Sequence, residues 1–132
     1  MERNDPPQNA AMPKRKSVLY IEDDKDQAQA LISAMKREFE VTLEEDGNRG
    51  LAIIKSANPD LVILDLGIPR RSGFLILEEL REKDLFHGKV IVLTGAEGKR
   101  HFDYSMALGA DAYIRKPYSV DEVIETCRSL LA

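Results

Sequence analysis

The chain predicts an α/β domain built on a parallel sheet, and three features of its 132 residues point there. Short apolar runs alternate along it with segments whose apolar residues recur at steps of three and four, the pattern of strands joined by crossover helices. One run, Leu61-Val62-Ile63-Leu64, is apolar without alternation, as expected of a central strand buried on both faces. Four runs also close on polar residues: Glu22-Asp23 after Val18 to Ile21, Asp65 after Leu61 to Leu64, Thr94 after Val90 to Leu93, and Lys116 after Ala112 to Ile114. If the strands are parallel, those ends open at one edge of the sheet, where α/β proteins build ligand crevices.

The elements follow in order. Residues 1 to about 16 hold Pro6, Pro7, Pro13, Asn4, Asn9 and Gln8 with little apolar content, and are expected to form a disordered or loosely attached tail. The domain is expected over 17–132. Val18 to Ile21 is the first strand. Gln27 to Arg37 follows as a helix whose stripe is Ala28, Leu31, Ile32 and Met35, continuing to Phe39. Phe39 to Glu45 alternates apolar with polar residues and is expected to be an edge strand. A helix over Arg49 to Ala57, the strand Leu61 to Asp65, a helix over Gly73 to Glu82, the strand Val90 to Thr94 and a helix over Lys99 to Leu108 continue the alternation. Ala112 to Arg115 is the fifth strand. The last helix, Ser119 to Leu131, carries the stripe Val120, Val123, Ile124, Cys127, Leu130 and Leu131. Ser119 with Glu122 forms a capping box, and Pro117 discourages helix across the junction. Right-handed crossovers then put helices on both sheet faces.

Composition narrows the function. A hydrophobic fraction of 43% and a charged fraction of 32% describe an ordinary globular domain. No run approaches the roughly 18 to 20 apolar residues of a membrane span, and Met1 to Asp5 lack a signal-peptide core, so a cytoplasmic protein is expected. The single Cys127 has no disulfide partner in the chain and no zinc pattern, and is expected to be buried as a small hydrophobe. Of the net charge of −4, the first sixteen residues contribute +2, which leaves −6 on the remainder. That sign suits neither nucleic-acid backbones nor anionic membranes, although Lys14-Arg15-Lys16 could touch something acidic.

The chemistry centres on Asp65, which leaves a buried-type run and precedes the turn residues Leu66-Gly67-Ile68-Pro69. A carboxylate placed there can attack a phosphoryl group and form an acyl phosphate. Glu22, Asp23 and Asp65 at neighbouring strand ends would repel one another without a cation, and hard oxygen ligands favour Mg²⁺. Glu22-Asp23-Asp24 offers two adjacent pairs. Glu22-Asp23 is preferred because it comes directly off the strand, which leaves Asp24 to enter the following helix. Phosphoryl transfer needs neutralisation of the equatorial oxygens, which the Lys116 ammonium and the Thr94 hydroxyl can supply.

Taken together, Leu19-Tyr20-Ile21-Glu22-Asp23, the block Pro59 to Pro69 with Gly73, Leu93-Thr94-Gly95-Ala96 and Gly109 to Pro117 resemble the receiver domain of two-component response regulators, over nearly all of Ser17 to Ala132. The resemblance implies a flavodoxin-like, doubly wound sheet of five parallel strands in order 2-1-3-4-5 with five helices. It implies that Asp65 accepts a phosphoryl group from a phosphohistidine on a histidine kinase or histidine phosphotransfer protein. It implies Mg²⁺ held by Asp23, Asp65 and the backbone carbonyl of Gly67, with Glu22 assisting through water, and a cis peptide before Pro117. The implied switch moves the Thr94 hydroxyl toward the phosphoryl group and turns Tyr113 inward, changing contacts with a downstream protein at the fourth helix, fifth strand and fifth helix. Homodimerisation is a further state it allows. In related proteins the positions of Gly67 and Ala96 tune hydrolysis of the acyl phosphate. Neither residue can position a water here, so the phosphorylated state is not expected to be of the fastest-decaying kind.

Two rival readings compete with a stand-alone receiver whose output comes through a partner. One is a receiver fold used as an adaptor without phosphorylation, against which every acceptor-site residue type is present. The other is a phosphatase of the haloacid dehalogenase type, which wants a second acid two residues after the nucleophile, where this chain has Gly67. No phosphate-binding glycine motif of either nucleotide class occurs, and His87 and His101 are expected at the surface. Arg70-Arg71 is expected to be a solvated pair beside the site.

Overall fold

A computed structural model describes residues 14–67, 72–95 and 99–132. Residues 1–13, Ile68 to Arg71 with the arginine pair, and Ala96 to Gly98 lie outside the described residues. The strands are β1 Ser17–Ile21, β2 Glu40–Glu44, β3 Leu61–Leu64, β4 Lys89–Thr94 and β5 Ala112–Arg115. The helices are α1 Lys25–Met35, α2 Gly47–Ala57, α3 Gly73–Glu82, α4 Lys99–Ala107 and α5 Val120–Leu131. All pairings are parallel and the sheet order is β2-β1-β3-β4-β5. The expected fold class is therefore the observed one.

Strand alternation divides the core into two layers. Val18 and Tyr20 of β1, Leu61 and Ile63 of β3, and Ile91 and Leu93 of β4 pack against Leu31, Met35, Val123 and Cys127 of α1 and α5. Their neighbours Leu19, Ile21, Val62, Leu64, Val90 and Val92 face Leu51, Ile54, Ile76, Leu77 and Leu80 of α2 and α3. Both faces of the central strands are covered, which explains why β3 reads as an unbroken apolar run. β2 lies at the sheet edge and alternates exposed with half-buried residues up to Leu43, as its sequence pattern predicts.

Side chains at the helix starts supply acceptors for unpaired amides. Asp24 caps α1 through Gln27 N at 3.0 Å, Asp46 caps α2 through Asn48 N at 2.7 Å, and Ser119 caps α5 through Glu122 N at 2.9 Å. α1 and α2 begin two residues earlier than the apolar stripes suggest, because a stripe marks where a helix is buried whereas a cap marks where it starts. α3 begins at Gly73, where a side chain would not fit. A Cβ there would lie 2.4 Å from the Asp65 carbonyl oxygen and 2.6 Å from Leu66 Cα. The end of α3 is tied down by Arg81, whose guanidinium donates to the carbonyls of Phe86, Gly88 and Gly109 at 3.1 Å each and to Asp111 Oδ2 at 3.0 Å.

Candidate functional site

The C-terminal ends of β1, β3, β4 and β5 open at one edge of the sheet, and they bring five of the sequence-selected side chains together. Asp65, the first residue beyond β3, is 8% exposed and receives donors on both oxygens. Oδ1 accepts from the Gly67 amide at 3.0 Å and the Thr94 hydroxyl at 3.1 Å, while Oδ2 accepts from Lys116 Nζ at 3.1 Å. Lys116 reaches across from the end of β5 and also donates to Glu22 Oε1 at 2.5 Å. Glu22, just past β1, is 1% exposed, and its Oε2 accepts the Asp24 amide at 3.2 Å. Asp23 faces solvent.

Glu22, Asp23 and Asp65 each present a carboxylate oxygen within 4.8 Å of the others. The Lys116 ammonium pairs with two of these acids, Glu22 and Asp65. An all-oxygen donor set, partly buried and open to water on the Asp23 side, fits a magnesium ion that retains several waters.

Burial and neighbours set the protonation of these groups. Burial raises the Glu22 carboxyl, and the contrary pull of Lys116 does not cancel it, with the Asp65 charge adding a further push upward. Burial acts on Asp65 in the same sense, but the Gly67 amide and the Lys116 ammonium outweigh it, and Asp65 is held below the usual carboxylate range. Burial works to lower Lys116, yet its hydrogen bonds to Glu22 and Asp65 keep it above the ordinary lysine value. At neutral pH Asp65 is thus an ionised carboxylate beside a firmly charged ammonium.

The residues around this cluster complete the comparison with sequence. Gly67 leaves room beside Asp65, since a Cβ would come no nearer than 3.9 Å to Oδ1. Among the described residues, a Cβ on Gly95 would meet nothing within 4 Å. The Lys116–Pro117 peptide is cis. Tyr113, half-buried on the edge strand β5, packs edge-on against Phe102 of α4, with ring centroids 5.5 Å apart at 80°. His87 is exposed and pairs with Asp84 at 2.7 Å, while His101 stacks on Phe74 at 5.6 Å between centroids. Sequence reasoning missed Tyr20, whose hydroxyl lies 3.4 Å from Glu22 Oε1 beneath the site. The available signal was a phenol in an otherwise aliphatic strand.

Fold and site together define an α/β domain with a buried, ionised aspartate, an acidic cluster and a partnered lysine at one sheet edge. The chain belongs to the response regulator receiver domain family, whose model matches residues 18–128. It is 36% identical over 116 residues to the sensory transduction protein RegX3 of Mycobacterium tuberculosis, covering 87% of this chain and 50% of that protein. The chain thus spans about half the length of the curated relatives it matches. Among solved structures, the receiver domain of a putative Luxo repressor protein from Vibrio parahaemolyticus is similar at a TM-score of 0.84 and 25% identity, over 89% of this chain and 90% of that one. A CheY-like receiver domain protein from Methanospirillum hungatei matches at 0.82 and 26%, over 89% and 94%. Receiver domains of this family are signalling proteins that bind Mg²⁺ at an acidic pocket. Among the described residues no helix is long and apolar enough to cross a membrane.

Proposed function

We propose that Asp65 is the phosphoacceptor of a two-component signalling protein and takes its phosphoryl group from a phosphohistidine on a histidine kinase or histidine phosphotransfer protein. The observation that carries this reading is the Asp65 carboxylate itself. It is ionised, receives donors on both oxygens from Thr94 and Lys116, and lies within 4.8 Å of the Glu22 and Asp23 oxygens. In the transfer one Asp65 oxygen attacks phosphorus, the P–N bond breaks, and the imidazole leaves with that electron pair and takes up a proton. Lys116 moves its ammonium onto a phosphoryl oxygen, and Thr94 transfers its hydrogen bond from the carboxylate to another. Asp23, Asp65 and the Gly67 carbonyl would hold Mg²⁺, with Glu22 assisting through water. The bound ion supplies neutralisation of the charge on the transferring group.

The contacts exchanged on phosphorylation couple the site to β4 and to Tyr113 on β5. The output surface is that of α4, β5 and α5, where Phe102 and Met106 are exposed beside Tyr113. A downstream protein or second copy of the chain binds there, and the setting is cytoplasmic. Acetyl phosphate with Mg²⁺ tests the reading by intact-mass spectrometry. Wild type gains one phosphoryl group and Asp65→Asn gains none. Equal addition to both, or none to wild type, refutes it. Partner binding that ignores this modification would favour the adaptor role.

A further inference from the structure

We propose that Tyr20 is a positioning residue for Glu22 and that its phenol holds the acidic side of the site in register. The inference rests on the reading of Glu22, Asp23 and Asp65 as a magnesium site.

Tyr20 is fully buried in β1, between the aliphatic residues Leu19 and Ile21. A phenol in a dry core is costly unless its hydroxyl finds a partner, and a Phe would fill the same space without that demand. The hydroxyl points up the strand to Glu22 Oε1, 3.4 Å away. Glu22 is itself 1% exposed, so its orientation is set by protein donors rather than by solvent. Those donors are Lys116 on Oε1, the Asp24 amide on Oε2, and Tyr20 from beneath.

These donors differ in permanence. When a phosphoryl group arrives on Asp65, the Lys116 ammonium is drawn to it, and Glu22 gives up part of its shortest contact. Tyr20 is locked in the core and cannot follow, so it keeps Oε1 in place as Lys116 is shared. Its single hydroxyl hydrogen goes to the carboxylate, a stronger acceptor than another phenol.

Direct Mg²⁺ titration by calorimetry, with melting temperature measured in parallel, tests this on the full chain. Tyr20→Phe keeps the ring and its packing. It should raise the Mg²⁺ dissociation constant about three- to tenfold, the range of an ordinary net hydrogen bond, because a 3.4 Å contact is too long for the full strength of a charged acceptor. Ile32→Val in the same core layer is the control for general loosening and should leave the constant unchanged. A Tyr20→Phe value within twofold of wild type, or a matching shift in Ile32→Val, overturns the proposal. Wild type that binds no Mg²⁺ overturns it together with the metal reading. Wild type that binds Mg²⁺ but takes no phosphoryl group refutes the phosphoacceptor role alone.

Discussion

Replacing Lys116 with Met separates the charge of this residue from its bulk, because methionine keeps an unbranched apolar stem. The ammonium touches Glu22 Oε1 at 2.5 Å and Asp65 Oδ2 at 3.1 Å, with 17% of the lysine side chain exposed. At an effective dielectric of about 20, the two contacts carry roughly 5 to 7 kcal/mol of Coulomb attraction each, offset by several kcal/mol for desolvating each ion. Removing one partner of a buried pair typically costs about 3 to 5 kcal/mol, since the survivors stay buried without compensation. Here Glu22 can relieve part of that cost by taking up a proton, so we expect Lys116→Met to lose about 3 kcal/mol at pH 7.5 in EDTA. Urea denaturation provides the assay.

The double variant Glu22→Gln/Lys116→Met should recover at least 2 kcal/mol relative to Lys116→Met, since it removes the carboxylate left alone. The dependence on pH fixes the sign. In Lys116→Met the folded Glu22 carboxyl lies further above its unfolded value, so the folded state binds the extra proton and the variant regains stability as pH falls from neutrality toward about 4.3. In wild type the depressed Asp65 acts oppositely. Its contribution is present above the unfolded value of about 3.9 and is lost as pH falls through the folded one. A Lys116→Met stability within 0.5 kcal/mol of wild type, on the order of measurement error, or a double variant no more stable than the single one, would refute the electrostatic account.

Other perturbations probe the scaffold and the chemistry. Gly73→Ala drives a methyl into the backbone of Asp65 and Leu66 and should cost about 2 to 3 kcal/mol in urea melts. Gly50→Ala meets only the flexible end of Ile21 and gains helix propensity, so it should cost less than about 1 kcal/mol. Arg81→Ala takes the guanidinium donor from three carbonyls and from Asp111, which keeps the Val90 amide, and a loss of about 2 to 3 kcal/mol is expected by the same measurement. Burial pushes the Cys127 thiol up to about 12, so the native protein should resist thiol-disulfide reagents at pH 8 and react only on unfolding. Because this acid is raised in the folded state, its contribution is intact below the unfolded value and erodes as pH rises above it, by about 1.4 kcal/mol per unit. The acyl phosphate on Asp65, with Gly67 beside it, should outlast a few seconds in Mg²⁺. Following loss of the phosphoryl mass over time checks this.

What the sequence made legible was set by how local each determinant is. The order of elements could be read because strand and helix periods differ, and Asp65 and Thr94 could be picked out because each directly ends an apolar run, with Lys116 one residue beyond the end of another. Parallel pairing then placed them together without knowledge of any distance. Helix starts were blurred because Asp24 and Asp46 act through backbone amides two or three residues on, which leaves no apolar signature. Arg81 looked like an ordinary helix charge. Its carbonyl partners at Phe86, Gly88 and Gly109 lie 5 to 28 residues away, and one is offered by a left-handed glycine at φ 103°. Tyr20 was hidden for a related reason. Its ring belongs to the apolar layer formed with α1 and α5, and only its hydroxyl reaches the site. One residue thus serves two environments two positions apart on a strand. Alternation assigns Tyr20 and Glu22 to the same face, but whether a buried phenol there meets a carboxylate or only methyl groups depends on where the strand leaves the sheet. β1 ends at Ile21, just before Glu22, so the Glu22 carboxylate lies above the last apolar layer and within reach of the phenol below it.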